Sequence, residues 1–234
     1  MIQNILCYLE ASEKAYPDKP AFSDEHAALT YKELLSLSRR IGSFLGRKTG
    51  PRRPIPVMTE KNAYTLGAFM GIVHAGCFYI YLDAGQPAKR LNRILDTLQA
   101  DIMIADSPSL KEAGPISFAG EILDMGMLLS LGSDAQDPLL PLYGIFTSGS
   151  TGAPKGVVVG HRSVIDFMEH FTEMFHITSR DVIGNQAPFD FDVSVKDIYS
   201  TLKTGASMEI IPKRLFSIPT GLLDYLCDRK ITTA

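Results

Sequence analysis

The stretch Leu142-Tyr143-Gly144-Ile145-Phe146-Thr147-Ser148-Gly149-Ser150-Thr151-Gly152-Ala153-Pro154-Lys155-Gly156-Val157-Val158-Val159 decides how this chain is read. From Thr147 to Gly156 it packs four hydroxyl side chains, three glycines and one lysine into ten positions. Glycines let successive backbone N–H groups turn inward toward an anion. Hydroxyls add donors and the lysine adds a positive charge, a set suited to a polyphosphate. The apolar runs on either side predict a strand from Leu142 to Phe146 leading in and a strand from Gly156 to Val159 leading out. A flexible Ser/Gly linker would carry neither these flanks nor an embedded Pro-Lys-Gly. The ordinary nucleotide P-loop is also excluded, because it needs Gly-Lys followed by Ser or Thr at the start of a helix. Here Pro154 precedes the lysine, and Gly156 and valines follow it.

Upstream, apolar and polar segments alternate in a helix-and-strand rhythm. Ile2, Ile5, Leu6 and Leu9 recur at helical spacing, and Pro17 and Pro20 end that helix. Thr30 and Glu33 stand at capping-box spacing, with Leu29 and Leu34 at the staple positions. Leu34, Leu37, Ile41, Phe44 and Leu45 continue an apolar face. Ile55–Met58 reads as a buried strand, and Tyr64–His74 as a helix with Gly76 as its cap. Phe78–Leu82 is a strand. Pro87 opens a helix with Leu91, Ile94, Leu95 and Leu98 inward, and Ile102–Ala105 is another strand. The region Ser107–Pro141, rich in Gly, Pro, Ser and Asp, gives no clear pattern. Downstream, Val164, Phe167, Met168, Phe171 and Phe175 follow helical spacing, Met208–Ile211 is a strand, Leu222–Cys227 a helix, and Ile231 begins a further strand. The expectation is a three-layer α/β fold with a largely parallel sheet. Because the chain stops at Ala234, just after a strand should begin, residues 1–234 are expected to be the N-terminal part of a longer domain.

Composition narrows the function classes. The chain has 234 residues, 45% hydrophobic and 21% charged, with a net charge of −3. That balance argues against nucleic acid or an anionic membrane surface as the main partner. The apolar run Leu66–Leu82 contains His74 and three glycines, and it is shorter than the ~20 residues a membrane span needs; a buried helix and strand fit it better. Cys7, Cys77 and Cys227 have no metal spacing and no disulfide framework. With no signal-peptide pattern at Met1-Ile2-Gln3-Asn4, the expected place is the cytoplasm.

Four segments together make the loop specific. Thr147 to Gly156 resembles the defining loop of the adenylate-forming (AMP-binding) enzymes, which include acyl-CoA synthetases and the amino-acid adenylation domains of peptide synthetases. Leu29-Thr30-Tyr31-Lys32-Glu33-Leu34, His74-Ala75-Gly76-Cys77-Phe78-Tyr79-Ile80-Tyr81-Leu82-Asp83 and Phe189-Asp190-Phe191-Asp192-Val193-Ser194-Val195 resemble further core motifs, in the family's order. The resemblance implies ATP and Mg²⁺ as cofactors. A carboxylate is joined to the α-phosphate, pyrophosphate leaves, and the acyl group passes to a thiol. It assigns Thr147, Ser148, Gly149, Ser150, Thr151, Gly152 and Lys155 to the nucleotide, and Asp192, Val193 and Lys196 to the substrate. No catalytic residue is expected in this chain, since the family's catalytic lysine would lie beyond Ala234, and no residue is assigned as a metal ligand.

In amino-acid adenylation domains the matching aspartate pairs with the substrate's α-ammonium, so Asp192 is expected to be a buried carboxylate awaiting a cation. Its other reading is an N-cap for a helix over Val195–Leu202. Lys196 falls where the family lines its side-chain pocket, usually with an uncharged residue; it would either face an acidic substrate or turn outward. His161-Arg162 also resembles amino-acid-activating members. The run Asn185 to Tyr199 looks most like D-alanine–carrier-protein ligases, which implies D-alanine as substrate and a phosphopantetheine carrier protein as partner. The alternatives are an acyl- or aryl-CoA ligase and a non-catalytic nucleotide-binding module.

Overall fold

A computed structural model describes residues 4–132, 143–148 and 154–233. The chain folds into two compact units, one built from residues 1–35, 61–66 and 162–234, the other from 36–60 and 67–161. The elements run α1 (Leu6–Ala15), β1 (Pro20–Ser23), β2 (Ala28–Thr30), α2 (Tyr31–Lys48), β3 (Pro54–Met58), α3 (Ala63–His74), β4 (Phe78–Tyr81), α4 (Ala88–Leu98), β5 (Ile102–Ala105), α5 (Ser107–Ala113), β6 (Glu121–Asp124), α6 (Met125–Leu129), β7 (Tyr143–Ser148), β8 (Pro154–Val159), α7 (His161–Met174), β9 (Val182–Asn185), α8 (Val193–Thr204), β10 (Ser207–Ile210) and α9 (Pro219–Asp228). The α/β class holds, but the expected single sheet is two. The first unit has four strands in the order β2-β1-β10-β9, and the second has six in the order β6-β5-β3-β4-β7-β8. In each, one edge pair is antiparallel, β1–β2 and β7–β8, and the other pairings are parallel. The antiparallel pairs are those joined by short connections, whereas parallel neighbours need a crossover.

In the first unit, Tyr31 is fully buried. Its hydroxyl lies 2.8 Å and 2.7 Å from the carbonyl oxygens of Thr201 and Ala206 and shares its hydrogen between them. Phe22, Ile5, Leu9, Leu34 and Tyr199 of the same unit are also fully buried. The capping box is present. The Thr30 backbone N–H donates to Glu33 Oε2 at 2.8 Å, and the Glu33 N–H donates to Thr30 Oγ1 at 3.2 Å. The bonds that the Thr30 backbone N–H and hydroxyl donate to the Glu33 carboxylate lower its pKa, so that half of the box is intact at neutral pH and is weakened as acid protonates Glu33. Thr30→Ala should cost about 1 kcal/mol in urea denaturation.

In the second unit, Met58, Ile80, Leu82, Leu91, Ile94, Leu95 and Met103 form one apolar cluster, with Leu98 partly buried against it. Phe69 stacks on Tyr79 with ring centroids 4.0 Å apart. Gly76 ends α3 as expected, at φ 71°. Its N–H donates to the Val73 carbonyl and the Cys77 N–H to the Ile72 carbonyl, which together make a Schellman cap. Pro87 stands one residue before α4 rather than inside it.

The patternless region Ser107–Pro141 contains three short elements among its described residues. Asp106 accepts from the Ser109 N–H to start α5, and Asp124 accepts from the Met127 N–H to start α6. β6 pairs in parallel with β5. The further strand expected at Ile231 is a single parallel bridge, Ile183 with Thr233. Among the described residues no helix is long and apolar enough to cross a membrane, and Leu66–Leu82 spans the buried end of α3 and the strand β4.

Candidate functional site

The two halves of the expected site lie in different units and are described separately. In the second unit, β7 and β8 pair antiparallel in continuous register, with Thr147 opposite Lys155 and Ser148 opposite Pro154. The motif is therefore a hairpin whose two arms end at the residues expected to meet phosphate. Lys155 is exposed. For Thr147 and Ser148 the backbone alone is described, and Gly149, Ser150, Thr151 and Gly152 lie outside the described residues. His161, buried, opens α7. Arg162 extends outward, 3.8 Å from Asp166. Among the described residues no group of His, Cys, Asp and Glu could hold a metal ion on its own.

In the first unit, β9 ends at Asn185, and the segment that follows leads into α8. Asp192 immediately precedes that helix, with its backbone already helical at φ −60° and ψ −26°. Its side chain makes no capping hydrogen bond, so the N-cap reading is not how it is used. The expected burial is also not found: Asp192 is exposed, as are Phe191 and Val193 beside it. An exposed carboxylate is solvated and makes no demand for a partner, so the desolvation argument for an ammonium does not apply to it. Asp192 nevertheless has no ion pair or side-chain hydrogen bond among the described residues. Beside it Gln186, Ala187, Pro188, Phe191, Val193 and Phe216 line an open cavity of about 360 Å³ with no charged residue among them.

Lys196 takes neither of its two expected positions. It is half-buried, and its Nζ donates to Asp197 Oδ1 at 2.6 Å. Asp197 is buried, and its other oxygen accepts from Asn185 Nδ2 at 2.9 Å. A second cation lies near the same cluster, with no hydrogen bond or ion pair to Asp197 among the described residues. The Lys61 ammonium lies 5.1 Å from the centre of the Phe189 ring and 3.5 Å from the Asn185 carbonyl oxygen. Burial lowers its pKa to about 8, while Asp197 pulls it partly back up. Asn185 is fully buried, and its Oδ1 has no hydrogen-bond partner among the described residues.

Sequence reasoning missed Lys61, Asn185 and Asp197. Asn185 and Asp197 stand inside the run already singled out, and the signal was their polarity amid apolar neighbours. Lys61 comes to Asn185 from 124 positions away, a separation that no local pattern spans.

The chain is 35% identical over 217 residues to surfactin synthase subunit 1 of Bacillus subtilis (strain 168), covering 89% of this chain and 6% of that protein. It is 29% identical over 232 residues to the D-alanine–D-alanyl carrier protein ligase of Staphylococcus aureus (strain MRSA252), covering 95% of this chain and 46% of that one. The chain thus spans less than half the length of these curated relatives. Among solved structures, the nonribosomal peptide synthetase FmoA3 (S1046A) in its AMPPNP-bound form matches with a TM-score of 0.89 and 27% identity, over 98% of this chain and 25% of that one. The Klebsiella oxytoca NpsA N-terminal subdomain, 20% identical with a TM-score of 0.86 over 99% of this chain and 59% of that one, shares the fold. The AMP-binding enzyme family matches residues 9–234, more than nine-tenths of the sequence, and the chain belongs to that family.

Proposed function

We propose that this chain is the N-terminal part of a ligase that activates an amino acid with ATP as the aminoacyl-adenylate and passes it to the phosphopantetheine thiol of a carrier protein. The observation that carries this reading is Asp192, which has no ion pair or side-chain hydrogen bond among the described residues and stands between Phe191 and Val193, two residues of the wall of an uncharged cavity. An amino acid offers the matching pair, an ammonium for Asp192 and a neutral side chain for the cavity. D-alanine is the favoured substrate, in keeping with the relatives named as D-alanine–D-alanyl carrier protein ligases.

Bringing a carboxylate to a phosphate sets two anions against each other, so charge must be neutralised and the reactants oriented. Lys155, exposed across the hairpin from Thr147, fits a polyphosphate. Thr147, Ser148, Gly149, Ser150, Thr151 and Gly152 would complete that cradle. Mg²⁺, held through the phosphates, would supply the remaining charge neutralisation. Three free cysteines, two of them exposed, accord with a cytoplasmic, reducing setting.

The test is calorimetric binding of D-alanine to the chain. Asp192→Ala should weaken it by up to about fivefold, the value of an exposed ion pair. Unchanged affinity would remove Asp192 from the ammonium site. The chain by itself, spanning under half of its relatives, is expected to give amino-acid-dependent ATP–pyrophosphate exchange near background. A second reading, an aryl or acyl acid as substrate, is favoured by the exposure of Asp192 and by Phe191 and Phe216 in the cavity wall. Under it, Asp192→Ala would leave binding of benzoate or a short fatty acid intact while no amino acid binds wild type.

A further inference from the structure

The segment 186–192, which leads from β9 into α8, carries Asp192 and four residues of the cavity wall, Gln186, Ala187, Pro188 and Phe191. Of its residues Phe189 alone is buried. Hydrogen bonds tie the two ends. Asn185 Nδ2 donates to Asp197 Oδ2 at 2.9 Å, which joins the end of β9 to α8. Ser194 Oγ donates to the Phe191 carbonyl at 2.7 Å, and the Val195 N–H donates to the Asp192 carbonyl at 3.0 Å. Between those ends the one buried side chain is the anchor, so the placement of Asp192 depends on where the Phe189 ring sits.

Lys61 reaches that anchor from a distant part of the chain. Its Nζ lies 5.1 Å from the centre of the Phe189 ring, inside the ~6 Å of a cation–π contact. The same Nζ is 3.5 Å from the Asn185 carbonyl oxygen. One ammonium therefore touches both the end of β9 and the middle of the segment. Lys61 is itself held in place. Asn62, next in the chain, caps α3 by accepting from the Thr65 N–H at 2.9 Å, and the Ala63 N–H donates to Asp24 Oδ2 at 2.8 Å. A methionine would fill much of the same space without a charge. Replacing a buried charge by an apolar group of similar volume is often neutral or stabilising, and burial works against the Lys61 ammonium. What the apolar group cannot supply is the pair of contacts made by the cation.

We propose that Lys61 is a positioning residue for the amino-acid site, its ammonium clamping the Phe189 ring and the Asn185 carbonyl so that the segment 186–192 holds Asp192 and the cavity wall in place. This assignment rests on the amino-acid reading above and adds to it the group that fixes the geometry of the ammonium site. Lys61 acts through the segment and does not touch the substrate. A segment ordered before the ligand arrives spares binding the cost of ordering it, and a binding residue is only as well placed as the contacts that support it.

The experiment uses the 234-residue chain and reads two quantities: NMR order parameters of the backbone amides in 186–192 without ligand, and D-alanine affinity by calorimetry. Lys61→Met should lower the order of that segment and weaken D-alanine about threefold, within the range of an exposed ion pair. Lys61→Arg, which keeps a cation able to lie on the ring, should restore both. In the Asp192→Ala background Lys61→Met should change the affinity by less than about 1.5-fold, because the group it positions is gone. A lysine that serves the fold alone would leave the segment as ordered as in wild type and would show no such dependence on Asp192. The assignment is overturned if Lys61→Met leaves the order of 186–192 unchanged, or if it weakens D-alanine as much without Asp192 as with it. If wild type does not bind D-alanine, or binds it equally well after Asp192→Ala, the amino-acid reading fails and this one falls with it. Failure of the present assignment alone shows as an unaltered segment in a Lys61→Met protein that still binds D-alanine through Asp192.

Discussion

Wild-type protein should gain stability relative to Lys61→Met as the pH rises from 7 to 9.5, by about 2 kcal/mol. The reason is the burial of the Lys61 ammonium, which lowers its pKa from 10.5 to about 8 in the folded chain. Between those two values the unfolded chain holds a proton that the folded chain has released. Folding stability therefore rises with pH in that window, opposite to the usual sign for a lysine that gains a partner. Each pH unit inside the window is worth about 1.4 kcal/mol, and pH 9.5 lies some 1.5 units into it. Other groups titrate nearby. Burial raises the Cys77 thiol, and burial and hydrogen bonding raise the phenols of Tyr8 and Tyr225. Taking the difference between the two proteins cancels them. Urea denaturation at half-unit pH intervals measures it. A difference that stays flat from pH 7 to 9.5 would mean that Lys61 is solvated in the folded chain. The charge is costly at neutral pH, where the folded chain carries it without full hydration. Its retention there accords with the tendency of perturbed groups to cluster at functional sites.

The loop's frame was legible in the sequence because its signal is local. Apolar runs flank Thr147–Gly156 on both sides, and the hairpin of β7 and β8 is what they build. The capping box at Thr30 and Glu33 and the glycine cap at Gly76 were legible for the same reason, since each is decided within four residues. The second sheet was not. β1 and β2 are four and three residues long and polar at their ends, and β1 finds its parallel partner β10 only after some 180 intervening positions. The short helices after Asp106 and Asp124 were hidden by a composition that reads as loop. Yet each begins with an aspartate cap, and α5 carries a proline in its first turn, signals that a search for caps alone would find. At the candidate site, the position of Asp192 followed from its motif but its exposure did not. Exposure depends on what packs over Phe191 and Val193, and no pattern inside the motif records that. The partner of Lys196 was missed for a simpler reason. Asp197, next in the chain, is a nearer anion than either a substrate or the solvent can offer.

The second large effect concerns two glycines where α2 meets α3. A methyl group added at Gly71 would lie 2.5 Å from both Cβ and Cγ2 of Ile41, and one added at Gly42 would lie 2.4 Å from Cβ of His74. These are contacts with Cβ atoms, and a methyl attached to one, that the backbone holds in place, so the two helices would have to separate. Alanine in a helix normally gains about 1 kcal/mol over glycine. Overpacking of a buried contact costs roughly 1–3 kcal/mol, and more where backbone must move. At Gly71 the clash outweighs the propensity gain, and Gly71→Ala should lose about 2 kcal/mol. Gly46 lies further along α2, exposed and with nothing within 4 Å of an added methyl. There the propensity term acts alone, and Gly46→Ala should stabilise by about 0.5–1 kcal/mol. The same substitution on the same pair of helices is thus expected to change sign with the space available to one carbon. Equal shifts of the urea midpoint for the two variants would mean that the helices do not approach as closely as Gly42 and Gly71 permit.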